Sequence, residues 1–155
     1  MNTECYRIAD QIRRAFVGDP WHGDSLKKLL AEVSAEQANQ RLLASGHTIW
    51  ELVLHIDLWV RIACDAMNGI PVPELYVKGK DWLSPTDTSA KAWTEATSQL
   101  LRTGERLAQD AEDFTDARLQ DIVPGRDYDF YHLLHGVVQH SLYHGGQIAQ
   151  LSKAM

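Results

Sequence analysis

Histidines spaced one helical turn apart are the residues of this chain most able to do chemistry. His140 and His144 stand at i and i+4 in the last long proline-free stretch, within His140-Ser-Leu-Tyr-His144. At about 100° per residue they share a stripe with Phe130, Leu133, Leu134, Val137, Ser141, Ile148 and Leu151. Gln139, Gln150 and Lys153 fall on the other side, with His132 and His135. A buried imidazole needs a partner for each ring nitrogen, because an unpaired buried polar group costs about 1–3 kcal/mol. Two imidazoles one turn apart are poor partners for each other, whereas a shared metal ion satisfies both. His55, among Leu52, Ile56, Trp59 and Ile62 on an earlier helix, is a third candidate. One histidine from that helix and two from the last would give three nitrogen ligands with an open fourth position, the arrangement of a catalytic zinc. The pattern alone leaves the alternative open, that these are core or surface imidazoles satisfied by backbone or water.

The elements that must position these rings follow from hydrophobic spacing. Cys5, Ile8, Ala9, Ile12, Ala15 and Phe16 mark a first amphipathic helix, stopped by Gly18-Asp19-Pro20. From Trp21 to Gly46 the pattern is less regular. A short helix is expected after a Ser25 cap, and another turn at the Ser34–Gln37 capping box. The second long helix opens at the Thr48–Glu51 capping box and closes at Asn68-Gly69. Its apolar residues leave only an arc of Glu51, Asp57, Arg61 and Asp65, so deep burial is expected. A proline-bearing loop, Ile70 to Thr86, leads to Asp87 as N-cap of a third long helix, striped by Trp93, Ala96, Leu100, Leu107, Ala111 and Phe114. A turn at Val123-Pro124-Gly125-Arg126 leads to Asp127 and the last helix. Without alternating apolar runs or a glycine-rich phosphate loop, the expected fold is an all-α four-helix bundle whose first connection is long enough to cross it.

Composition narrows the function. The 155 residues, 45% hydrophobic and 23% charged, suit a single globular domain spanning 1–155. A net charge of −6 argues against nucleic acid as a partner. Two cysteines exclude a disulfide scaffold. Ile49 to Met67, the most apolar stretch, is broken by Glu51, His55, Asp57 and Arg61, so no membrane span is expected. The first residues, MNTECYRIAD, have neither the basic nor the apolar region of a secretory signal, and a cytoplasmic location is expected.

The block His47-Thr-Ile-Trp-Glu-Leu-Val-Leu-His55, with Phe130-Tyr-His-Leu-Leu-His-Gly-Val-Val-Gln-His140-Ser-Leu-Tyr-His144-Gly-Gly-Gln147-Ile, resembles the DinB family, among the DinB/YfiT-like metalloenzymes. The resemblance extends over essentially the whole chain. It implies an up-down-down-up four-helix bundle and a divalent metal, zinc or nickel, on His55, His140 and His144. It also implies that such proteins are often homodimers, and that some relatives use a low-molecular-weight thiol as cosubstrate in transfer or isomerisation reactions.

Three neutral imidazoles around a divalent ion would lower the pKa of a thiol or water joining it. Thiol transfer to a small-molecule electrophile is the leading expectation. Hydrolysis, or a metal held without turnover, are its alternatives. Hydrolysis would normally use a nearby general base, and no carboxylate lies on the inner stripe of the last helix. Tyr143 and Gln147, beside the histidine stripe, are candidates for hydrogen bonds near the site. His47, just before the Thr48 cap, either reaches the pocket mouth or serves as a solvated or capping residue. Trp82 is a candidate pocket wall. Cys64, near the polar arc of its helix, and Cys5 have no base at a recognisable spacing and are weak candidates as nucleophiles.

Overall fold

The computed structural model describes residues 3–74 and 79–155. The described chain is all-α, with four long helices and two short ones: α1 (Thr3–Phe16), α2 (Leu26–Ala31), α3 (Ala35–Ala38), α4 (Ile49–Met67), α5 (Ala90–Asp113) and α6 (Phe130–Lys153). A 3-10 turn at Asp116–Gln120 joins α5 to α6. Residues 75–78 of the expected Ile70–Thr86 loop lie outside the described residues.

Capping chemistry sets most boundaries. Thr48 and Glu51 form the expected reciprocal box at the start of α4, and Ser34 and Gln37 form one at α3. The α4 helix ends at Asn68, after which Gly69 takes φ +85°, a conformation that suits glycine. Two expected starts differ in position, and a third, at Ser25, falls where expected but lacks its capping bond. Ser25 stands at the N-cap of α2, but its hydroxyl makes no capping bond and is buried without a partner. The α5 helix begins at Ala90 with Ser89, not Asp87, as N-cap. Asp87 instead accepts from the Ser89 N–H and so shapes the turn before it. The α6 helix is capped by Asp129, not led directly by Asp127, because the chain first closes a bridge between Ile122 and Asp129. Phe114 caps α5 instead of continuing its stripe.

Apolar faces then choose the neighbours. Both α1 and α4 pack on α5 and on α6. Trp50 meets Trp93 and Asp65 meets Arg106, so α4 and α5 run in the same sense. Arg13 pairs with Glu105 and Glu112 across the α1–α5 seam. At the far end of α1, the Asp116 carboxylate accepts from the N–H groups of Glu4 and Cys5, capping a helix distant in sequence. Close approach of α1 to α5 is possible because position 104 is glycine: a Cβ there would lie 2.3 Å from the Phe16 ring.

The expected polar arc of α4 is only half solvated. Arg61 is exposed, but Glu51 and Asp57 are buried, each held by an arginine: Arg41 on Glu51 and Arg61 on Asp57. Cys64, placed near that arc by spacing, is fully buried, and burial pushes its thiol up to about 12. Burial and the nearby Asp116 carboxylate do the same to Cys5. Neither has the thiolate character of a nucleophile at neutral pH.

Candidate metal centre

Helix α4 carries His55 to the face that meets α6, and α6 returns His140 and His144 one turn apart. The three Nε2 atoms converge: His140 Nε2 lies 3.0 Å from that of His55 and 3.1 Å from that of His144. One nitrogen from each ring lies within 4.8 Å of the others, a grouping able to hold a metal ion.

The outer nitrogens show which protons these rings carry. His55 Nδ1 is 2.9 Å from the backbone oxygen of Asp81, which can only accept, so Nδ1 bears the hydrogen and Nε2 presents a lone pair. His144 Nδ1 lies 2.7 Å from Gln147 Oε1, which assigns its hydrogen in the same way. Burial lowers the pKa of all three rings. His140 falls to about 3, with the other two histidines adding to the effect of burial. All are therefore neutral at pH 7. His140 Nε2 has at most one proton to offer two facing lone pairs, so at least one contact sets lone pair against lone pair. A cation between the nitrogens removes that conflict. These two separations are a few tenths of an ångström below the about 3.3 Å edge of a tetrahedron with zinc–nitrogen bonds. The donor set fits a borderline divalent ion such as zinc or nickel.

Around this centre the chain places groups that spacing only partly revealed. Trp82 lies flat between two imidazoles, with centroids 3.8 Å from His55 and 3.4 Å from His47. His47 thus joins the wall of the site through the indole, and its Nδ1 also lies 3.5 Å from Glu51 Oε2. Gln147 holds His144, whereas Tyr143 is exposed, with its ring edge-on to His144. Both line a cleft of about 460 Å3 together with His47, Leu52, Gly146 and Gln150. His132 is exposed and packs against Tyr128, and His135 is half-buried against Tyr131; neither joins the triad.

Asp81 is the residue that periodicity missed. Its carboxylate, buried by the loop before α5, lies 3.7 Å from His55 Nδ1 and accepts from the Trp59 indole N–H at 3.4 Å. The inner stripe of α6 does lack a carboxylate, but the site does not. No helical period reports a loop residue. The only local signal was the adjoining Trp82, an aromatic in a connection.

Four long helices with an inward-facing cluster of three neutral histidines define a helical scaffold with a grouping able to hold a metal ion. A family model described as the DinB superfamily matches residues 21–148. That span takes in all three histidines, Asp81 and Trp82, and the chain belongs to the DinB superfamily, whose members are in general metal-binding. No curated protein and no solved structure matches the chain. Among the described residues, no helix is long and apolar enough to cross a membrane.

Proposed function

We propose that His55, His140 and His144 hold one divalent ion, zinc or nickel, and that the site transfers a low-molecular-weight thiol to a small electrophile. The observation that carries the metal assignment is the convergence of three Nε2 atoms with too few protons to satisfy one another. When bound, the ion lowers the pKa of a thiol so that sulfur reacts as thiolate at neutral pH.

The residues of the chain do the rest. Asp81 and Gln147 fix the outer nitrogens of His55 and His144, so both rings keep their lone pairs inward. Trp82 covers the His55 ring and excludes water from that side. The cleft beside His144 offers the side-chain amides of Gln147 and Gln150 and the hydroxyl of Ser45, groups suited to the amide-rich body of a small cellular thiol. In the transfer the thiol proton leaves to solvent and the sulfur lone pair forms the new C–S bond. The electron pair displaced from carbon departs with a leaving group, or moves to the neighbouring carbon of an activated double bond, which then takes up a proton.

Thiol transfer is favoured over hydrolysis by where the carboxylate stands. Asp81 meets His55 on the Nδ1 side, away from the converging Nε2 atoms. It can orient the ring but is badly placed to take a proton from water among the three nitrogens. The test is elemental analysis of tag-free protein, followed by thiol consumption against a panel of electrophiles. Metal at one equivalent and thiol-dependent turnover are expected. Turnover at the same rate without thiol would reject the reading, as would protein that unfolds on chelation, regains structure with metal and consumes no thiol.

A further inference from the structure

The α4 and α6 helices run in opposite senses, since Leu52 faces the end of α6 and Trp59 faces its beginning. The groove between them therefore continues past the triad in both directions. Toward the end of α6 lies the amide-bearing cleft already assigned to the thiol. Toward the beginning lies a second, smaller cleft of about 260 Å3, walled by Trp59, Tyr128, His132, Leu133, Gly136, Val137 and His140. The two clefts relate differently to the metal centre. The amide-bearing one touches the triad only through neighbours such as Gln147, whereas a triad ring, His140, is itself a wall of the smaller one.

The lining of the smaller cleft specifies a chemistry. No Lys, Arg, Asp or Glu lines it, and its titratable lining groups are the Tyr128 phenol and the His132 and His140 imidazoles, so it offers no fixed charge to a phosphate, a carboxylate or an ammonium group. Trp59 is held in place by its N–H bond to Asp81 and stands edge-on to His140, with centroids 6.4 Å apart. Fixed aromatic walls favour a flat π-system, which gains from edge and offset contacts in addition to its burial. A cleft of this size lies just below the range of pockets for drug-sized ligands, and so suits one ring or a short unsaturated chain.

We propose that this second cleft binds the electrophile, and that the electrophile is a small uncharged molecule with one aromatic ring or a short unsaturated apolar chain. The assignment of that role rests on the thiol-transfer reading above. The groove would then deliver the two substrates from opposite ends, with the metal centre between them.

Two glycines make the test specific. A Cβ at Gly136, in the smaller cleft, or at Gly146, in the larger, would meet no other atom within 4 Å. A leucine at either position therefore occupies cleft space and leaves the core alone. Binding of 4-fluorobenzaldehyde to the full chain, purified with its metal, is followed by ligand-observed fluorine NMR, which needs no turnover. Gly136→Leu should weaken binding by about tenfold or more, and Gly146→Leu by less than about twofold. Gly136→Ala, whose single methyl suits a helix and only narrows the cleft, should weaken binding by a smaller factor than leucine but by at least about twofold, and serves if the leucine variant fails to fold. A wild-type chain that does not bind the probe overturns the proposal, as does a Gly146→Leu variant that loses it or Gly136 variants that keep full affinity. If the glycine pattern holds while no thiol is consumed, the cleft and its ligand class stand and the reaction falls. If thiol is consumed but the pattern fails, the reaction stands and the electrophile binds elsewhere.

Discussion

The indole of Trp82 lies flat against the imidazole of His55, with planes parallel and centroids 3.8 Å apart. The same segment supplies the Asp81 oxygen that fixes the proton on His55 and the Ser84 hydroxyl that bonds Glu51. One stretch of loop thus holds a candidate ligand by its face and by its edge. That makes the loop part of the candidate metal centre, although it contributes no inward nitrogen.

Trp82→Ala should therefore weaken metal binding by about 10- to 100-fold, the usual scale for groups that orient a ligand. Trp82→Phe, which keeps a flat ring, should restore most of it. Competition with a chromogenic chelator measures both. Equal affinity in the alanine variant would show that stacking has no part in positioning His55.

Removing a proposed ligand should do more. His144→Ala, purified without an affinity tag, should lose most of its metal by elemental analysis while circular dichroism stays helical. Undiminished metal would move the site elsewhere.

Acid should act on the start of α4. Burial works to raise the Glu51 carboxyl, but the Thr48 N–H, Arg41 and Ser84 outweigh it and hold it below the usual range. A carboxyl lowered on folding stabilises the fold above its unfolded pKa of about 4.5, and that stability is lost as pH falls through the lower folded value. Thermal melts of Glu51→Gln should accordingly show less loss of stability below about pH 4.5 than wild type. Thr48→Ala, which removes the other half of the box, should cost about 1 kcal/mol at pH 7, a fall in Tm of roughly 2–4 °C.

Glycines predict opposite signs. Gly104→Ala would drive a methyl into the Phe16 ring and should destabilise the α1–α5 seam by about 1–3 kcal/mol in denaturant melts. Gly136→Ala meets open space and should raise stability by up to about 1 kcal/mol.

Cys5 and Cys64 should resist a thiol reagent at pH 8 until the chain is unfolded, because both are fully buried and protonated. Rapid labelling of either in the native chain would show that its helix opens.

Much of this was written in local sequence. Helical periodicity marked the long helices, and the Thr48–Glu51 and Ser34–Gln37 boxes marked starts to the residue, because such caps are satisfied within four positions of chain. The shared face of His140 and His144 needed only the pitch of one helix. Where neighbouring polar residues competed for one helix end, as Asp87 did with Ser89 or Asp127 with Asp129, the turn outside the helix decided, and no pattern within the helix records it.

The pairing of His55 with the other two histidines is different in kind. Residues 85 positions apart, His55 and His140, must meet at one height for their Nε2 atoms to converge, and only the packed faces of α4 and α6 set that height. Asp81, buried beside His55 from a loop without periodicity, and Glu51 and Asp57, buried under arginines, follow from the same cause. A polar residue's cost of burial depends on the partners that tertiary structure brings to it, and those partners are invisible along the chain. Local periodicity and capping are enough to say which long helices form and which face carries His140 and His144. Packing between α4 and α6 brings three rings together nitrogen to nitrogen with too few protons among them, an arrangement able to hold a cation.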